Sequence, residues 1–261
     1  MNVGEMYDLP NENHSIVECT ISIFLEKPFS NLDMFENFYS SHLKNDFSKL
    51  ETVNSFEMSV NPMENRVDQK KNGIVGFKLF KIADEKSKVI IQISNERTRQ
   101  FLSIHSLNYS RWEDFKKEFN QILKVFDKWI ENKVRAFSLH YIDQFILKDS
   151  KQNCVPYMFN PNSDFLPKRF LNSQESFLVF NSKIEEEDDK YELFDRVEIR
   201  TDKNRIGISQ NSIIPVGTHD SFTSFTSCDE CREKIDTAHE RNKTLLRDIL
   251  SKEVLNNIGI N

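Results

Sequence analysis

Glycine is scarce in this chain, six in 261 residues. None of the six falls in a G-x-G-x-x-G or G-x-x-x-x-G-K-[ST] pattern, so neither a dinucleotide fingerprint nor a P-loop is written here. G-x-S-x-G and H-E-x-x-H are missing too, which removes the familiar serine-hydrolase and zinc-protease routes. No apolar run approaches the roughly 20 residues that span a bilayer. Met1–Pro10 lacks a basic segment followed by an apolar one, so no signal peptide is expected. With four cysteines in the chain, that pattern fits free thiols in a reducing compartment, and the expected location is the cytoplasm. Cations are in deficit, 35 Lys+Arg against 41 Asp+Glu for a net charge of −6. That balance argues against bulk electrostatic attraction to nucleic acid or an anionic membrane.

Phenylalanine, by contrast, is abundant, with 22 copies, and the most legible stretch, Ser106 to Leu147, is built on it. Trp112, Phe115, Phe119, Ile122, Phe126 and Trp129 recur at alternating steps of three and four, which marks one face of a helix over 110–131. Ser110 with Glu113 has the spacing of a capping box. A strand over 134–147 follows, with Phe137, Leu139, Tyr141, Phe145 and Leu147 on one face and Ala136, Ser138, His140, Ile142, Gln144 and Ile146 on the other. Asp143 falls among the apolar set and breaks the alternation.

The rest of the chain reads as a polar arm over 1–14 and a strand over 17–25. A helix over 31–50 comes next, then an ambiguous strand near 55–60 and a loop over 64–73. Strands over 74–82, 89–93 and 100–107 form an antiparallel meander. Residues 148–172, with Pro156, Pro161 and Pro167, read as an irregular crossing between a lobe at 15–147 and a second at 173–261, the two forming one compact unit. The second lobe has strands over 176–184, 191–200 and 205–208, a loop over 218–226 and a helix over 228–253 opened by a Ser227/Glu230 capping box. This composition of elements is α+β with a largely antiparallel sheet and three main helices.

Four residues are candidate ligand- or partner-binding positions. Asp143 is costly to bury unpaired. The ordinary account is a structural hydrogen bond, and the functional one is a pocket carboxylate. His140 lies on the opposite face of the same strand, so the two cannot form one acid–base pair. Asn242 sits in the apolar stripe of the last helix with His239 beside it, and an Asp143–Asn242 contact would tie strand to helix. No catalytic residue can be assigned, and no cofactor or metal is expected. Cys228, Cys231 and His219 have the residue types of zinc ligands, but His239 lies about two helical turns from Cys231 and cannot join them.

The chain resembles a sporadically distributed family of uncharacterised bacterial proteins. The resemblance rests on Ile16-Val17-Glu18, on Tyr109-Ser110-Arg111-Trp112-Glu113-Asp114-Phe115, on Leu139-His140-Tyr141-Ile142-Asp143, and on His239-Glu240-Arg241-Asn242. It spans about residues 14–260. His140 stands where the family pattern has Arg, and Asp143 where it has Asn. The patchy distribution implies an accessory gene linked to defence or mobile elements. The resulting expectation is a non-enzymatic cytoplasmic binding protein, antitoxin-like or immunity-like, with a protein partner and room for self-association. The alternatives are a nucleotide or small-ligand sensor or enzyme with a pocket near Asp143, and a nucleic-acid-binding module using an open sheet face.

Overall fold

Period-two alternation is the main organiser of the backbone. The computed structural model describes residues 3–11, 14–61, 66–96, 99–129, 132–185 and 192–260. In chain order the elements are β1 (Tyr7–Asp8), β2 (Ile16–Leu25), α1 (Phe35–His42), β3 (Lys49–Asn61), β4 (Arg66–Ala83), β5 (Lys86–Glu96), β6 (Arg99–Ser106), α2 (Trp112–Phe126) and β7 (Val134–Leu147). Then follow α3 (Val155–Met158), α4 (Lys168–Leu171), β8 (Ser176–Glu185), β9 (Glu192–Thr201), β10 (Arg205–His219), α5 (Phe222–Ser227), α6 (Asp229–Ile249) and α7 (Lys252–Asn257). The fold is α+β, and the ten strands among the described residues join one antiparallel sheet.

The order across the sheet is β3-β4-β5-β6-β2-β7-β10-β9-β8, with β1 extending along β7. Outward from the β2–β7 pair, the chain follows the same path twice. A strand leads into a helical excursion, a meander returns to that strand's flank, and a helix is laid over the sheet. The first pass is β2, α1, β3 to β6 and α2; the second is β7, α3 with α4, β8 to β10 and α6. The halves therefore meet at β2 and β7, where Ile21 pairs with Leu139 and Ile23 with Phe137. β7 pairs with β2 on one side and β10 on the other, so the strand before the 148–172 crossing is shared by both halves. The crossing is packed down through buried Cys154, Val155, Met158, Phe159 and Phe170.

Two cores lie on one face of the sheet. One joins β2, β4 to β7 and β10 to α1, α2, α5 and the start of α6; the other joins β7, β9 and β10 to α3, α4, the end of α6 and α7. The sheet residues in both cores share one parity, so among the described residues every buried helix side chain lies on that face. Among the described residues the opposite face has no helical cover.

Several local expectations are corrected. The arm over 1–14 is docked, since Val3, Met6 and Tyr7 are buried and Tyr7 pairs with Leu147. The helix expected over 31–50 ends at His42. There the Tyr39 hydroxyl donates to the Phe47 carbonyl at 2.7 Å and turns the chain into β3. The loop expected over 64–73 is strand from Arg66, paired with β3. Residues 62–65 lie outside the described residues. Neither capping box forms. α2 opens at Trp112, with Arg111 as cap and the Ser110 hydroxyl on Asp114, while the Ser227 hydroxyl donates to Ser224 O within the turn that ends α5. The loop expected over 218–226 contains the end of β10 and most of α5, which is capped by the Ser221 hydroxyl. The end of the helix expected over 110–131 falls partly on residues 130–131, outside the described residues; α2 itself closes at Phe126.

Candidate functional site

The four candidate residues fall into two separate groups, one on each face. On the helix-covered face, β7 places Tyr141 and Asp143 toward α6. Asp143 is 1 % exposed, and its Oδ1 accepts from the Ser15 hydroxyl at 2.6 Å. Its Oδ2 is buried with no hydrogen-bond partner among the described residues. Burial lifts the carboxyl from an ordinary 3.8 to about 6, with the Ser15 bond opposing. Asn242 does not meet it. The Asn242 amide donates to Gln210 Oε1 at 3.0 Å, so the strand–helix tie exists but runs through β10. His239 makes a second tie, with Nδ1 2.7 Å from the Tyr141 hydroxyl and its ring stacked on Trp112 at 4.5 Å. Trp112 and Lys116 also hold Asp236, at 2.8 and 2.9 Å, which fastens α2 to α6.

Burial pushes the His239 imidazole down to about 4, the Lys243 charge adding to it while the Glu240 and Asp236 carboxylates pull the other way. The unfolded ring takes a proton near 6.5, so between pH 4 and 6.5 unfolding takes up a proton. Stability from this group is present above 6.5 and lost as pH falls toward 4. His239→Gln is expected to remove close to one proton from the uptake on unfolding in that window. Denaturant midpoints at pH 4.5 and 7 check this, and an unchanged slope would refute it.

Sequence reasoning missed a third buried tie. Asp195 of β9 accepts from the Ser212 hydroxyl and from Arg241 of α6 at 3.0 Å. Asp195 and Gln210 sit at core parity among Leu193, Val197, Ile206 and Ile208, the same break in alternation that marked Asp143. A cleft of about 370 Å³ adjoins them, lined by Phe165, Phe180, Asp195, Gln210, Arg241 and Thr244 among others. Asp143 does not line it.

On the uncovered face, His140 stands in a cross-strand row with His105 of β6, Thr20 of β2 and Asn211 of β10. His105 Nδ1 lies 2.7 Å from Glu18 Oε1 and its Nε2 2.8 Å from the Ser103 hydroxyl. The Thr20 hydroxyl donates to Glu18 at 2.9 Å, and His140 Nε2 is 2.8 Å from Ser209 Oγ. The His105 hydrogen bond holds the Glu18 carboxyl below its usual range, and burial pushes the His140 imidazole down. No pattern break announced this network, because polar residues are ordinary on an open sheet face.

Ser103, His105 and Glu18 have the connectivity of a nucleophile, base and carboxylate. Two features work against that chemistry. Ser103 is 2 % exposed. Its strand is also paired on both sides, to Gln92 and to Ser22, so the surrounding backbone N–H groups serve the ladder and do not converge on an oxyanion.

The uncovered face is concave. Arg99 of β6 shares one trough of about 610 Å³ with Lys183, Phe194, Arg196, Asn211 and Ile213 of the other half. Four strand spacings separate β6 from β9, roughly 19 Å in a flat sheet, so the sheet curls toward its bare side. The trough gathers Arg99, Lys183 and Arg196, with Asp195 also in its lining, in a chain whose net charge is −6. No helix among the described residues is long and apolar enough to cross a membrane. No family model and no curated protein sequence matches the chain.

Proposed function

We propose that this is a non-enzymatic binding protein that receives a protein partner in the trough on the uncovered sheet face. The carrying observation is that trough: on a face without helical cover among the described residues, it sets three cations and an exposed Phe194 beside Asn181, Asp195 and Asn211. Its chemistry suits an acidic segment with an apolar contact. An accessory, antitoxin-like or immunity-like role in a defence or mobile-element system is the setting implied by the family resemblance. A second reading, nucleic-acid binding, is favoured by the same cations together with Lys78 and Arg200 on that face, set against Glu18, Glu51 and Glu198.

The test is Arg99→Glu with Arg196→Glu. Arg196 forms an exposed ion pair with Glu198, and such pairs contribute about 0–1 kcal/mol, so the melting temperature should barely move. The double variant is expected to lose a partner that co-purifies with the wild type from its host at low salt. Retention of that partner by the variant would refute the trough. Retardation of single- or double-stranded oligonucleotides at low salt, abolished in the variant, would select the second reading.

A further inference from the structure

The end of β10 and the start of α6 bring three metal-competent side chains together on the helix-covered side, away from the trough. His219 is the last residue of β10, Cys228 caps α6, and Cys231 lies in its first turn. α5 lies between them in sequence. Its Phe222 and Phe225 are buried in the core, so the chain doubles back and returns Cys228 and Cys231 to His219. The three ligand atoms lie within 4.8 Å of one another, and Cys231 Sγ is 3.2 Å from His219 Nε2. In a tetrahedral site with metal–sulfur bonds near 2.3 Å and metal–nitrogen bonds near 2.0–2.1 Å, neighbouring ligand atoms stand roughly 3.5–4 Å apart. Small side-chain rotations close that difference.

We propose that His219, Cys228 and Cys231 bind one zinc-class divalent ion. Two thiolates and an imidazole select a borderline-soft cation over calcium or magnesium. Three protein ligands leave a fourth position for water or an external ligand. Binding releases the two thiol protons to solvent. His219 Nε2 also faces the Val216 carbonyl at 2.9 Å, so loading exchanges that hydrogen bond for a metal bond. Phe225 lies edge-on to the imidazole at 6.0 Å and gives the site an apolar wall. His239 takes no part, being engaged with Tyr141 and Trp112. The ion would clasp the start of α6 to the end of β10.

The test uses the full chain, reduced and stripped of metal, titrated with Co²⁺ and then Zn²⁺. One Co²⁺ per chain is expected, with a thiolate-to-cobalt charge-transfer band and the intense ligand-field bands of tetrahedral coordination, both abolished by one equivalent of Zn²⁺. Cys228→Ser and Cys231→Ser should each weaken binding by at least the roughly 10–100-fold that loss of an outer-shell partner costs. His219→Ala should weaken it while retaining the charge-transfer band. Cys154→Ser, remote from the site, should change nothing. If a site variant fails to fold, alkylation of the wild type serves instead: Zn²⁺ should protect half-buried Cys228. The proposal is overturned if no charge-transfer band forms, if the Cys228→Ser/Cys231→Ser double variant binds as well as the wild type, or if Zn²⁺ leaves alkylation unchanged.

Discussion

Asp143→Asn is expected to gain stability on the wild type by about 3 kcal/mol between pH 4 and pH 7.5. The folded carboxyl keeps its proton up to about pH 6, whereas the unfolded chain releases it near 3.8. The folded pKa is raised, so the stability linked to it is fully present below about pH 4 and is lost as pH rises through 6. A shift of roughly two units at 1.36 kcal/mol each gives the figure. Asparagine never ionises, and its Oδ1 can still accept from Ser15. Its amide would occupy the place of the unpartnered Oδ2, an offset of about 1–3 kcal/mol that does not depend on pH. The quantity to read is therefore the change in the gap between urea unfolding free energies at pH 4 and at pH 7.5. A gap that stays constant would refute the account. His239 has the opposite sign over almost the same window. The two slopes largely cancel in the wild type, and each substitution uncovers the other residue's slope.

Phe35→Ala is expected to cost about 3–5 kcal/mol, the upper range for a large aromatic removed from a core. Phe35 is fully buried, with its ring 4.7 Å from Phe77 of β4, 4.9 Å from Trp129 and 6.4 Å from Phe126 of α2. It is where α1, the sheet and α2 converge. α1 has eight residues, too few to hold helical structure in water unaided, so it depends on this docking. Against a typical total of about 5–15 kcal/mol, the loss is a large fraction. Phe35→Leu should recover most of it, because the interaction is burial and dispersion with no polar component. Urea midpoints at unchanged slope check both variants, and a loss under about 1 kcal/mol for alanine would show that the site collapses without penalty.

Both substitutions probe features that the sequence displays unequally. Asp143 was visible because β7 alternates strictly from Phe137 to Leu147, so one carboxylate at core parity stands out. Asp195 carries the same signal on the shorter β9, and Gln210 lies beyond the 205–208 strand that the sequence suggests. α1 stops at His42, short of residue 50, because the Tyr39 hydroxyl and Phe47 carbonyl turn the chain there, a contact the apolar spacing of 31–50 does not display. The strand from Arg66 read as loop since its polar run gives no period, and only its pairing with β3 makes it strand. Glu18 and His105 are 87 residues apart, and nothing local relates them. The doubled path of the chain was equally hidden, because topology repeats here without matching residues.

That doubled path bears on how the sheet avoids sticking to itself. Either half alone would end in a long unpaired strand, β2 with ten residues or β7 with fourteen. Such an edge is a template for association with any other chain. Two separate copies could satisfy it only by meeting about a twofold axis, as an isologous dimer does. Here the two edges are carried on one polypeptide and held at a high, fixed effective concentration by the connection between α2 and β7. The chain thus supplies its own dimer partner, and the edges left open are β3 and β8, at the far ends of the sheet.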